Sequence, residues 1–207
     1  LSFEELCNSL AELGEKKFRA TQLYQWIWQK RVRSFEQMSN LSQTLRNQLS
    51  ENFYFQTIKA VNTQKSADGS FKFLFSLFDG TAVEGVLIPA KDRMTACISS
   101  QVGCGLQCAF CATGSLGFTR NLSIGEITDQ YFTMDAVARE NETGGVSNIV
   151  YMGMGEPLMN YNAVMGSVAR LTDVNGAGLA PSRITLSTSG IIKNIKQLAD
   201  DNFPCNL

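Results

Sequence analysis

From Phe3 to about Phe53 the apolar residues recur at helical spacing, for instance Phe18, Leu23, Ile27 and then Leu41, Leu45, Leu49, with polar residues between them. One-sided spacing of this kind predicts three or four short helices. Gly14 is placed to end the first. Ser39 or Asn40 is placed to cap the last, because each offers a side-chain oxygen to the free amides of a first helical turn. Between residues 56 and 89 the pattern changes to β-rich runs punctuated by Asp68-Gly69 and Asp79-Gly80, dipeptides that tolerate tight hairpin turns. A three-stranded antiparallel meander is expected there. After Arg93 the texture changes again, to strands at 95–99, 148–152 and 183–187, helices at 123–139, 161–171 and 191–200, and the start of a strand at 203–207. Alternating strands and helices imply a parallel sheet, doubly wound or closing into a barrel. The expected division is 1–55, 56–92 and 93–207.

Composition narrows the chemistry. At 44% hydrophobic and 18% charged residues over 207 positions, the chain can bury a sizeable core. It contains no His, which excludes a Ser/His/Asp triad, an HExxH zinc site, a Cys2His2 finger and a Cys/His nucleophilic pair. A net charge of -1 supplies no global field for nucleic acid, so any such site is local. Lys16, Lys17, Arg19, Lys30, Arg31 and Arg33, interleaved with Tyr24, Trp26 and Trp28, form one candidate patch for RNA phosphates; a solvated helical face over an aromatic core reads equally well. No apolar run reaches the roughly 18 residues of a membrane span, and the first residues lack the features of a signal peptide. A cytoplasmic location and reduced cysteines follow as expectations. Cys7 and Cys205 fit no motif and are expected to pack in the core.

Three thiols crowd into Cys104-Gly-Leu-Gln-Cys108-Ala-Phe-Cys111, in the loop expected after the first parallel strand. Structural zinc needs a fourth ligand, which Cys97 or a distant Cys would have to supply. An iron-sulfur cube instead leaves one iron open for another ligand. The spacing, with Phe110 just before the last Cys, is the signature of the radical S-adenosylmethionine (SAM) superfamily. Gly153-Met-Gly155-Glu156-Pro157 follows the next strand and Ser187-Thr-Ser-Gly the one after, both at the carboxyl end where parallel sheets bind ligands. Either segment also reads as ordinary turn or capping chemistry. Glu84 lies in an otherwise apolar run, where an unpaired carboxylate would be costly.

The run from Cys97 through Cys111-Ala-Thr-Gly, followed by Gly-Met-Gly-Glu-Pro-Leu, strongly resembles the RlmN family of dual-specificity RNA methyltransferases. Phe18-Arg-Ala-Thr-Gln and Val83-Glu84-Gly-Val-Leu-Ile-Pro resemble the same family, so the similarity spans the chain. The resemblance implies an α/β fold: a partial (β/α) radical-SAM barrel behind a small N-terminal helical, RNA-binding accessory domain and an antiparallel β meander. It implies methylation of adenosine carbon 2 in 23S rRNA, and in tRNA beside the anticodon. The sister Cfr group, acting on carbon 8, is the alternative; a zinc-stabilised RNA-binding module without catalysis is another. By resemblance, Cys104, Cys108 and Cys111 hold a [4Fe-4S] cluster that reduces SAM to a 5'-deoxyadenosyl radical, and Gly155, Glu156 and Ser187 contact SAM. Glu84 accepts the proton from carbon 2. Cys97 resolves a covalent protein–RNA adduct by forming a disulfide with a methyl-carrying Cys, which is thiol exchange chemistry. An electron donor such as flavodoxin and a monomeric state are implied too. Because a complete barrel takes roughly 200–250 residues, the chain is expected to be the front portion of a longer protein, without the methyl-carrying Cys.

Overall fold

The computed structural model describes residues 2–55, 57–91, 93–141 and 144–207. The expected domain borders at positions 56 and 92 fall outside these residues. The chain divides into two compact units, one formed by 1–56 with 170–178, the other by 57–169 with 179–207.

The first unit holds helices α1 (Phe3–Glu12), α2 (Lys17–Trp28) and α3 (Gln43–Asn52) with a 3-10 turn at Phe35–Gln37. Ser2 and Glu5 form a reciprocal capping box on α1, which satisfies free amides at the helix start. The cap of α3 is Ser42, whose hydroxyl accepts from the Leu45 amide, and not Ser39 or Asn40. Leu10, Leu23, Tyr24, Met38, Leu45 and Leu49 form the buried core. The Tyr24 hydroxyl donates to Asp173 at 3.2 Å, and burial together with that carboxylate pushes the phenol up to about 12. Of the expected patch, Tyr24 and Trp28 are buried, whereas Lys30 stacks over the Trp26 ring at 3.5 Å.

In the second unit, strands β1 (Lys59–Lys65), β2 (Phe71–Ser76) and β3 (Ala82–Ala90) form the expected meander, with turns at Asp68-Gly69 and Asp79-Gly80. The meander is not a separate extension. β3 pairs antiparallel with β4 (Arg93–Cys97), which pairs in parallel with β7 (Asn148–Tyr151), and that with β8 (Ile184–Leu186), giving one six-stranded sheet. At 203–207 only a parallel bridge from Asn206 to Thr185 occurs, in place of a strand.

Strand side chains alternate between two faces. On one face Phe73, Phe75, Val83, Leu87, Ala96, Ile149 and Ile184 are fully buried. Helix α5 (Ile124–Glu140) packs there against β3 and β4. Helix α6 (Tyr161–Thr172) contributes Ser167, which bonds to the Tyr151 hydroxyl at 2.7 Å. Helix α7 (Ile192–Asp200) follows β8. The opposite face, carrying Lys72, Leu74, Glu84, Val86, Cys97, Val150 and Thr185, is only partly covered.

Candidate active site

An element absent from the sequence reading carries the cysteines. β5 (Gln101–Gly103) and β6 (Phe118–Asn121) form a two-stranded ribbon, and the three thiols together with the short helix α4 (Ala112–Ser115) lie between its strands. Gly103 has φ +73, and a Cβ there would stand 1.8 Å from the Gly117 carbonyl oxygen, so only glycine lets the ribbon close. The return strand is anchored by Arg120. Its guanidinium donates to Asp79 at 2.6 Å and, bidentately, to Glu126 at 2.8 and 3.0 Å. Glu126 also closes the capping box of α5 with Ser123. Burial works against its charge, yet the bonds from Arg120 and Ser123 prevail and hold its carboxyl below the usual range.

Cys104 is buried, while Cys108 and Cys111 are partly exposed and Phe110 is 94% exposed. Amide hydrogen bonds from Gly114 and Thr113 lower the Cys111 thiol, which favours the thiolate that metal binding requires. The cysteines share one loop, but among the described residues no three His, Cys, Asp or Glu side chains converge as a metal site. Three thiols in one loop match a three-thiolate cluster in number and donor type, but the loop would have to draw the sulfurs together to hold one. All six cysteines are free thiols. Cys7 and Cys205 are partly exposed, contrary to the expected core packing.

The carboxyl ends of β4, β7 and β8 are tied together by polar groups that sequence reasoning missed. Gln130 of α5 accepts from the Ser99 amide at 2.8 Å and donates to the Ser99 carbonyl at 3.0 Å. The Ser99 hydroxyl donates to the Glu84 carbonyl at 2.6 Å and accepts from the Met154 amide at 2.8 Å. Asn160 donates to the carbonyls of Ser100 and Leu122, both at 2.8 Å. Gly155, at φ +98, would press a Cβ to 2.5 Å from that of Gln101, whose side-chain oxygen Oε1 accepts from the Glu156 amide at 2.9 Å. The signal for this scaffold was polar residues in otherwise apolar segments, since a buried polar group needs a partner.

Glu156 is 4% exposed, and both its oxygens are engaged within the protein. Oε1 accepts from the Leu158 amide and the Thr188 hydroxyl at 3.0 and 2.7 Å; Oε2 accepts from the Ser189 amide and hydroxyl at 2.8 and 2.9 Å. Glu156 thus clamps the loop after β7 to the loop after β8, leaving Ser187 exposed beside the clamp.

Cys97 and Glu84 stand on the open sheet face. Cys97 is in register with Val86, so Glu84 is its diagonal neighbour, about 7–8 Å away in such pairs. Burial pushes the Cys97 thiol up, partly offset by the Met152 amide. Glu84 is not buried in an apolar run as the sequence suggested. Its side chain is 47% exposed and pairs with Lys72 at 2.7 Å.

A mixed α/β sheet with a cysteine loop and glycine-bearing turns at its carboxyl edge is the architecture of the radical SAM class. The chain matches a radical SAM methyltransferase from Sphaerobacter thermophilus with a TM-score of 0.92 and 39% identity, covering 99% of this chain and 60% of that one. Residues 1–55 match the family described as ribosomal RNA large subunit methyltransferase N-terminal domain. Proteins named probable dual-specificity RNA methyltransferase RlmN from Cytophaga hutchinsonii and Christiangramia forsetii are 51% and 49% identical over the whole chain. The similarity to these two relatives runs along all 207 residues of the chain, which spans 57% and 59% of their lengths.

Proposed function

We propose that this chain carries the RNA-binding helical unit and the SAM-cleaving core of a methyltransferase acting on carbon 2 of adenosine in 23S rRNA and tRNA. The observation that carries the reading is the register between β3 and β4: a carboxylate, Glu84, and a thiol, Cys97, share one open face of the sheet, and β3 also contacts β5 of the cysteine ribbon. The names and identities of the relatives support the same class of activity.

In this reading Cys104, Cys108 and Cys111 would hold a [4Fe-4S] cluster, which when bound would supply the electron for reductive cleavage of SAM. Adenine carbon 2 is electrophilic and offers no lone pair to a methyl cation, hence the need for radical chemistry. Gly155 presents backbone at close range, Ser187 offers a hydroxyl, and Glu156 shapes both SAM-contacting loops. Glu84 takes the proton from carbon 2. Cys97 forms the disulfide that frees the methylated product: as its proton leaves, an S–S bond to the methyl-carrying Cys forms and that sulfur's bond to the transferred carbon breaks. The basic residues of α2 and the following turn contact RNA phosphates. The protein works in the cytoplasm as a monomer with a small reductant such as flavodoxin; among the described residues no helix is long and apolar enough to cross a membrane.

The test is anaerobic reconstitution of the product of the complete reading frame with iron and sulfide, followed by mass spectrometry of adenosines from treated RNA. 2-Methyladenosine is expected. Exclusive 8-methyladenosine would transfer the assignment to the Cfr type, and stoichiometric zinc without iron-sulfur absorbance would overturn it altogether.

A further inference from the structure

We propose that Asn62, Gln64 and Lys72 form a nucleotide-binding subsite, which seats the RNA residue adjacent to the one presented to Glu84. The inference rests on the RNA-methylating reading above and adds a recognition surface to it.

The register of three strands builds the site. Asn62, Leu74 and Glu84 are aligned partners across β1, β2 and β3, and Gln64, Lys72, Val86 and Cys97 are aligned one step along and across to β4. Partners in a row share a face, as do rows two residues apart. The two carboxamides therefore lie on the Glu84 and Cys97 face, lining a groove with Lys72, Leu74 and Glu84.

This placement depends on one extra residue. Ala60 pairs with Phe75 but Asn62 pairs with Leu74, which leaves Val61 as a β-bulge. In an unbroken ladder Val61 would oppose Leu74 and Asn62 would oppose Phe73, on the buried face. A one-residue slip reverses every side chain beyond it. The bulge thus turns Asn62 and Gln64 toward Glu84, and turns Lys65 to the other side, where its ammonium lies 5.0 Å from the Phe71 ring centroid.

The chemistry suits a nucleotide. A carboxamide offers a donor and an acceptor side by side, the pattern that pairs with a base edge. Lys72 has three N–H donors, and the pair with Glu84 uses one, so the ammonium can also meet a phosphate. Two strand spacings separate β1 from β3, roughly 10 Å. That distance suits a base flanking the one held at Glu84.

The experiment measures binding of a fluorescein-labelled RNA stem-loop with adenosine in its loop, by anisotropy, to the protein from the complete reading frame. Variants are Asn62→Ala/Gln64→Ala, Lys72→Met and Lys72→Arg, each checked for an unchanged circular dichroism melt. The double variant should bind about tenfold more weakly, with KM for RNA raised and kcat nearly unchanged. Lys72→Met should reduce the slope of log K against log salt by about one, and Lys72→Arg should restore it. Wild-type affinity and salt slope in the double variant and Lys72→Met would overturn the subsite. SAM cleavage to 5'-deoxyadenosine without RNA reports the core independently. If the unsubstituted protein methylates RNA while the variants bind it normally, the subsite alone fails; if the unsubstituted protein leaves RNA unmethylated, the functional reading fails first.

Discussion

Ser189 holds Glu156 twice, its amide and its hydroxyl both donating to Oε2, at 2.8 and 2.9 Å. With Thr188 and Leu158 on the other oxygen, the carboxylate acts as a joint between two loops before any ligand arrives.

Glu156→Gln should accordingly destabilise the protein without cofactor. One amide NH2 would face donors, and a buried mismatch of this kind costs about 1–3 kcal/mol. Urea unfolding of the apoprotein measures it. If the unfolding midpoint is unchanged and only SAM affinity falls, the joint is unimportant and Glu156 serves the ligand directly.

Arg120→Ala should cost about 3 kcal/mol, because it leaves buried Glu126 without its bidentate partner. Arg120→Lys should recover only part of this, since an ammonium cannot reproduce the fork. Glu126 is held below its ordinary value, so its contribution is complete above about pH 4.3 and is lost as pH falls through the folded value. The Ala variant should show a shallower loss of stability in acid, readable in thermal melts from pH 6 down to pH 3.

Gly103→Ala should disrupt the cysteine ribbon, since backbone, rather than a yielding side chain, stands in the way of its Cβ. Gly117→Ala shares the positive φ but meets no neighbour, so strain of about 1 kcal/mol is all it should add. Iron bound per chain after anaerobic reconstitution should fall sharply in the first variant and little in the second. Equal iron contents would contradict this account.

Burial pushes the Cys205 thiol up to about 11. The folded state therefore holds this proton where the unfolded chain has begun to release it. Its stabilising contribution is whole below about pH 8.5 and declines as pH rises toward 11. In the apoprotein, iodoacetamide should label Cys205 more slowly at pH 8 than a free thiol, with the rate climbing about tenfold per pH unit up to pH 10. Peptide mapping after timed quenching reads the rate; rapid labelling at pH 8 would contradict the shift.

Much of this was legible because local chemistry is local. Cysteine spacing, Asp-Gly turns and helical periodicity each depend on neighbours a few positions away, and the meander, the α5 and α6 helices and the cysteine loop lie where they were expected. The ribbon around that loop was missed because its strands are very short, Gln101–Gly103 and Phe118–Asn121, and too brief to show alternation. Glu84 was misjudged in its surroundings for a related reason. Apolar neighbours in sequence suggested burial, but in a strand they alternate sides, and Val83 and Leu87 face inward while Glu84 faces out.

The sequence by itself determined the set of thiols, the order of the meander and of the main strand–helix units, and the family likeness. Only the tertiary structure decided which side chains share a surface. Strand pairing is a long-range choice, and with a period of two a single bulge at Val61 or one register step between β3 and β4 changes the face of every residue beyond it. Those pairings, invisible along the chain, set Asn62, Lys72, Glu84 and Cys97 on one face of the sheet, and the pairing of β7 with β8 brought together the two loops that Glu156 joins.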